Sequence, residues 1–193
     1  MIQLVVDSTA AVPKDFLEQH ANVHVIPLFI SVKGEYVPEN EATIEQVIEY
    51  SESTKKAVPT SQPSTGDFLK LFESLPKEDP IIVICITSGV SGTYNGAVLA
   101  ARQSGRKQIA VINSRTTAVG MMEVLEDGLD MIEKGLSFEE ISKGLQESAS
   151  LMRTTFTVLT LDYLRRGGRV GRAAGLIGSI LIFQPLIYLI ANI

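Results

Sequence analysis

Two serine-rich turns carry the residues best suited to chemistry. One reads Pro59-Thr60-Ser61-Gln62-Pro63-Ser64, the other Thr87-Ser88-Gly89-Val90-Ser91-Gly92-Thr93. Each lies just before an amphipathic stretch of helical period, and the second follows a fully apolar run, Ile81 to Ile86. A strand that ends in a small-residue turn and opens a helix leaves backbone N–H groups without partners, and the helix dipole adds partial positive charge there. Hydroxyls and N–H groups gathered at one spot form an uncharged anion site, suited to a carboxylate or a phosphate. Plain helix capping uses the same residue types. Two turns of one chemistry favour a ligand site if they converge in space. Nucleophilic use of Ser61 or Ser91 requires an activating base, and none is visible beside them.

A second constellation is basic. Arg165, Arg166, Arg169 and Arg172 surround the pair Gly167-Gly168. Guanidinium groups around a glycine turn suit a phosphate or an acyl phosphate, and they equally suit a tight turn with a solvated basic face. The residues alone leave both readings open. His20 and His24 offer no zinc-ligand spacing and no Ser-His-Asp arrangement, so they read as surface or packing residues. No Walker-type glycine-rich phosphate loop occurs in the chain.

The elements that must hold these turns follow from periodicity. Residues 2–6 read as a strand entering a turn at Asp7-Ser8-Thr9, and Pro13 opens a short helix to Gln19. Val23 to Val32 reads as one strand, followed by a turn at Gly34 and a short strand at Tyr36-Val37. Thr43 with Gln46, Ser64 with Asp67 and Ser137 with Glu140 are capping boxes that open helices. The Ile81–Ile86 strand leads to a helix from about Ser91 to Ser104. A strand over 108–112, a helix over 117–133 and a β-rich run over 155–160 complete the pattern. Alternating apolar strands and helices predict an α/β fold with a parallel sheet flanked by helices. Ligands bind such sheets beyond the carboxyl ends of the strands. Asp7-Ser8, Ser88 to Thr93 and Asn113-Ser114 are therefore expected on one rim.

The chain has 193 residues, 45% hydrophobic, with a net charge of −5. Its size allows a sizeable core. Its charge gives nucleic-acid binding no overall support. The single cysteine, Cys85, lies inside an apolar strand, which excludes an internal disulfide framework and fits a reducing cytoplasm. No signal peptide is expected, because Asp7 interrupts the apolar start and no basic segment precedes it. The apolar run Leu176 to Ile193 contains Gln184 and Pro185, so it reads as a core strand pair bent at Pro185, not as a stable membrane insertion.

The ordered motifs Asp7-Ser8-Thr9-Ala10, Pro27-Leu28 with Gly34-Glu35, Thr60-Ser61-Gln62-Pro63-Ser64, Ser88-Gly89-Val90-Ser91-Gly92-Thr93-Tyr94 and Leu164-Arg165-Arg166-Gly167-Gly168-Arg169-Val170-Gly171 resemble the DegV family of bacterial fatty-acid-binding proteins. The resemblance covers nearly the whole chain. It implies a cytoplasmic, non-enzymatic lipid carrier, similar to the fatty-acid-binding subunit of bacterial fatty acid kinase. Such a subunit holds a long-chain fatty acid while a separate kinase catalytic subunit phosphorylates its carboxylate, with no cofactor beyond the bound fatty acid. Carried over by position, the carboxylate contacts fall on Thr60, Ser61 and Ser91, with Gly92 and Thr93 supplying backbone N–H groups. Arg169 takes the supporting role in phosphoryl transfer. Leu176, Ile177, Ile180, Leu181 and Phe183 are expected to line part of an acyl tunnel.

The chain departs from the family at Asn113-Ser114, where Asp-Ser is usual, and at Gln184-Pro185, where Lys-Pro is usual. Members of the family are longer. The expected organisation is thus an N-terminal DegV-like domain over 1–155 and the start of an incomplete second α/β lobe over 156–193. A later histidine that the family places near the carboxylate is absent. The alternatives are a small phosphotransferase or hydrolase using the serine turns and Arg169, or an inert fragment that binds no lipid.

Overall fold

The computed structural model describes residues 1–32, 34–170 and 186–189. In chain order the elements are β1 (Gln3–Asp7), α1 (Lys14–Gln19), β2 (Val23–Ile26), β3 (Phe29–Val32), β4 (Glu35–Pro38), α2 (Ile44–Thr54), β5 (Thr60–Ser61), α3 (Thr65–Ser74), β6 (Ile81–Cys85), α4 (Thr93–Gln103), β7 (Ile109–Asn113), α5 (Val119–Glu133), α6 (Phe138–Leu151), β8 (Thr154–Thr157), α7 (Asp162–Arg166) and β9 (Leu186–Leu189). The described residues fall into two compact units. One holds residues 1–28, 62–154 and 189, the other 29–61, 155–170 and 186–188.

The first unit is built on a four-stranded sheet of order β2-β1-β6-β7 with every pair parallel. Its two central strands are apolar on both faces, as a sheet covered on both sides requires. Alternation sorts their side chains. Leu4, Val6, Ile82 and Ile84 join Ile112 and buried residues of α5 and α6 in one cluster. Val5, Ile81, Val83 and Cys85 face the other way and pack with Phe68 and Phe72 of α3 and Ala97 and Ala100 of α4. The result is three layers, helix–sheet–helix. The predicted α/β class and parallel sheet are what this unit shows.

The second unit contains an antiparallel sheet of order β4-β3-β5. The turn between β3 and β4 includes Gly34 at φ 90°, a left-handed value that glycine adopts without strain. Here the structure corrects the sequence reading. The single strand expected over Val23 to Val32 is two strands in two sheets. Pro27 has no N–H to continue the ladder, and the N–H of Leu28 donates to Ser8 Oγ at 2.9 Å instead. The β-rich run expected over 155–160 contributes only β8, which pairs with β9. The short helix α7 was not anticipated, because five residues carry too little periodicity to read. Leu176, Ile177, Ile180, Leu181, Phe183, Arg172, Gln184 and Pro185 lie outside the described residues. Among the described residues, no helix is long and apolar enough to cross a membrane.

All three capping boxes form as read, with Thr43, Ser64 and Ser137 each accepting from the N–H three residues on. Both histidines pack. His20 stacks on Phe16 at 4.2 Å and donates from Nδ1 to the Phe16 carbonyl. His24 Nε2 donates to Gln3 Oε1 at 2.7 Å, and burial pushes its pKa down.

Two residues make strong demands on the connections of the first unit. Arg106 gathers the carbonyls that end α3. Its Nη1 donates to Pro76 O at 2.8 Å and its Nη2 to Leu75 O at 2.5 Å and to Phe72 O. A cation at a helix C-terminus also complements the dipole. Ala118, just before α5, has φ 49° and ψ −126°, a conformation that suits glycine and strains a residue with a Cβ. Its N–H is committed to Thr9 O at 3.0 Å, which holds the strain in place.

Replacing Arg106 with Ala is expected to lower unfolding free energy by about 2 kcal/mol, the scale of charge-assisted hydrogen bonds. Arg106→Lys should recover only part of this, since an ammonium cannot span the same carbonyls. Ala118→Gly is expected to raise stability by about 1 kcal/mol as the strain is released. Urea unfolding of the variants beside the parent chain checks both, and an unchanged midpoint for either refutes the corresponding assignment.

Candidate functional site

The strand order places β2 on one side of β1 and β6 on the other, so the chain reverses its direction of progress across the sheet between β1 and β6. Beyond the carboxyl ends of that pair lies the crevice where open α/β sheets bind ligands. Asp7 ends β1 there, fully buried. Its Oδ2 accepts from the N–H of Ile86 at 2.6 Å, and its Oδ1 accepts from Thr9 N at 3.0 Å and Thr9 Oγ1 at 2.5 Å. Burial, with a smaller contribution from the Asp7 charge, pushes the Cys85 thiol well above its ordinary pKa, which rules it out as a ready nucleophile.

The neighbouring loops interlock. Asn113 Oδ1 accepts from Ser88 N at 3.2 Å and its Nδ2 donates to Ser88 Oγ at 2.8 Å. Thr87 N donates to Thr116 O at 2.9 Å. The loops after β1, β6 and β7 therefore share one rim, as strand-end reasoning expected. Asn113, the departure from the usual family Asp, works here as both acceptor and donor. A carboxylate would keep the bonds to Ser88 N and Arg115 N and would reverse the donor role towards Ser88 Oγ.

Helix α4 opens from this rim. Its N-cap is Gly92, which supplies no side-chain acceptor, and its first turn holds no acidic residue. Ser91 is half-buried and Thr93 fully buried. Their hydroxyls lie 2.8 Å apart, and Ser91 Oγ accepts the Thr93 N–H at 3.3 Å. The positive end of α4 is thus dressed with two hydroxyls and no negative group. The glycine is explained by close approach, because a Cβ at Gly92 would overlap the amide of Gln62, reaching Cδ at 3.0 Å and Oε1 closer still. Gln62 was not singled out from the sequence. The signal available was a glycine at an N-cap, where Ser, Thr or Asp is usual, which marks something packed against the backbone.

The other expected residues lie in the second unit. Thr60 and Ser61 form β5, not a turn, pairing with Ile30 and Phe29, and both are exposed. Arg169 follows α7. Gly168, at φ 72°, lets the chain close the helix with Gly168 N donating to Arg165 O at 3.0 Å and Arg169 N to Leu164 O at 2.8 Å. Arg169 is exposed, and its Nη1 donates to Gly167 O at 2.6 Å. Arg165 pairs with Asp162 at 3.5 Å, and Arg166 lies over the Tyr163 ring. The arginine cluster therefore has a structural use at a helix C-terminus, whatever else it does.

Among the described residues, no group of His, Cys, Asp or Glu converges to hold a metal ion. A groove of about 720 Å³ is lined by Phe16, His20, Leu129 and the acidic residues Glu123, Glu126, Asp127, Asp130 and Glu133. Its negative wall would repel a carboxylate or phosphate.

The family model described as "Uncharacterised protein, DegV family" matches residues 1–191. A DegV domain-containing protein of Staphylococcus aureus (strain COL) is 34% identical over 185 residues, covering 95% of this chain and 65% of the relative. The chain thus spans somewhat less than two thirds of that protein. Among solved structures, a DegV family protein from Thermus thermophilus, reported for its fatty acid binding, superposes with a TM-score of 0.89 at 27% identity, over 98% of this chain and 68% of that one. DegV, a fatty acid binding protein from Bacillus subtilis, gives a TM-score of 0.84 at 32% identity, over 97% and 67%. With the family model and the sheet architecture matched along nearly its whole length, this chain belongs to the DegV family.

Proposed function

We propose that this chain holds a long-chain fatty acid by its carboxylate and presents it to a separate kinase subunit for acyl phosphate formation. The head of α4 carries the reading: a helix N-terminus at the switch point of a parallel sheet, bearing two hydroxyls, capped by glycine and free of acidic residues in its first turn. A carboxylate arriving there gains N–H and O–H partners and a favourable dipole. Within the first unit the contacts are Ser91 and the backbone of Gly92 and Thr93, while Thr60 and Ser61 enter the scheme only by their positions in the family pattern. The fatty acid binding of the Thermus thermophilus and Bacillus subtilis relatives supports a fatty acid over a phosphate.

Arg169 acts at a later step in this scheme. A carboxylate oxygen attacks the phosphorus of a donor held by the kinase, the bond from that phosphorus to the donor's leaving oxygen breaks, the leaving group stays with the kinase, and the guanidinium stabilises the charge that develops on the transferring group. The protein itself supplies a positioned substrate and no catalytic base. It works in the cytoplasm, where the kinase and its donor are found.

Ser61→Ala and Ser91→Ala are each expected to weaken palmitate binding by about 1–2 kcal/mol, the scale of a hydrogen bond to a charged acceptor. Titration calorimetry reads this directly. Unchanged affinity in both single variants and the double variant removes the carboxylate site. Arg169→Ala is expected to bind palmitate as the parent chain does and to support little acyl phosphate formation with a cognate kinase. Lost binding with normal turnover of the remaining complex reverses that role.

A further inference from the structure

Gln62 lies within the first unit, against the helix whose N-terminus is proposed to take the ligand's charge. Its amide spans the first turn of α4. Oε1 lies over Gly92, and Nε2 lies between Gly92 and Gly96, 3.2 and 3.5 Å from where their Cβ atoms would stand. The next residue, Pro63, is buried, and its carbonyl lies 3.7 Å from the Cβ position of Gly96. Gly92 and Gly96 are four residues apart, so they form one flat face of the helix. That face is a platform for the Gln62-Pro63 segment.

We propose that Gln62 is a positioning residue that sets head-group charge selectivity. This inference rests on the carboxylate site proposed above. The argument has two parts. First, the amide covers the backbone of the first turn on one flank and Thr93 is fully buried, so an anion reaches the helix end from the side of the half-buried Ser91. Second, the residue at this place must be neutral. A carboxylate here would lie on the positive end of α4 and neutralise the field that attracts the ligand. It would also repel the ligand's own charge, moderated by solvent because Gln62 is exposed. Glutamine keeps the shape and the hydrogen-bonding capacity without the charge. The two glycines are the matching half of the device, since a Cβ on Gly92 would displace the amide.

The test compares palmitate with the uncharged hexadecanol on the parent chain and on Gln62→Glu, Gln62→Met and Ser91→Ala. The parent is expected to prefer palmitate. Gln62→Glu should lose about fivefold in palmitate affinity, since an exposed charge at a helix end acts on that scale, while hexadecanol binding stays level. Gln62→Met, which keeps the cover and no charge, should retain most of the preference. Unfolding measurements accompany each variant. Gly92→Ala should destabilise the parent chain and cost far less in a Gln62→Ala background, because the clash is removed with the amide.

The outcomes separate the two ideas. If the parent shows no preference for palmitate, or Ser91→Ala leaves that preference intact, the carboxylate site fails and the role of Gln62 falls with it. If Ser91→Ala weakens palmitate binding but Gln62→Glu equals the parent, the site stands and the charge-selectivity role is refuted. Equal loss of palmitate and hexadecanol in Gln62→Glu shows a structural role only and also overturns the inference.

Discussion

The buried carboxylate of Asp7 is the constraint around which the rim is organised. Parallel strands leave their ends without ladder partners where the order of strands reverses, and here that gap opens between β1 and β6. Asp7 closes it by accepting the N–H of Ile86, just past the end of β6, and two donors from Thr9 in the turn that follows β1. A buried carboxylate without such donors would cost several kcal/mol. With them it fixes the spacing of the two strand ends, and hence the point from which the loop to α4 departs. The hydroxyls of Ser91 and Thr93 inherit their position from this bond.

A fixed negative charge beside a proposed anion site looks contradictory, and geometry resolves it. The Asp7 oxygens are committed to Ile86 and Thr9, while the end of α4 carries neutral groups only. The sheet thus spends its charge on structure and leaves the end of α4 uncharged. Uncharged donors suit a carrier, because a carboxylate held by neutral groups is easier to release, or to react, than one locked to an arginine.

Much of this was legible in the sequence. The strand cores, the three capping boxes and the shared rim followed from periodicity and strand-end logic, because Leu4 to Val6 and Ile81 to Ile86 leave no alternative to a doubly covered sheet. What was not legible depended on tertiary partners. Pro27 divides two strands only because Ser8 waits for the N–H of Leu28. Thr60 and Ser61 look like a turn until β3 pairs with them. Gln62 reads as one polar residue among several, and only its fit over Gly92 gives it a task. Helix α7 was hidden because its definition rests on a glycine-closed end, not on an apolar stripe.

The pairing of β1 with β6 bears on how the chain is made. Gln3 must meet Ile81, so the centre of the sheet waits for a partner synthesised much later. Closing so wide a loop is entropically costly, although the cost grows only slowly with length. Residues 29–61, within that loop, hold contacts of short sequence separation, a β3–β4 hairpin and the capped helix α2. During that interval the apolar β1 has only β2 to pair with, through the register Leu4 to Val23. Chains emerging from the ribosome therefore carry a half-built parallel edge, the kind of species that associates wrongly while its partner strand is still missing.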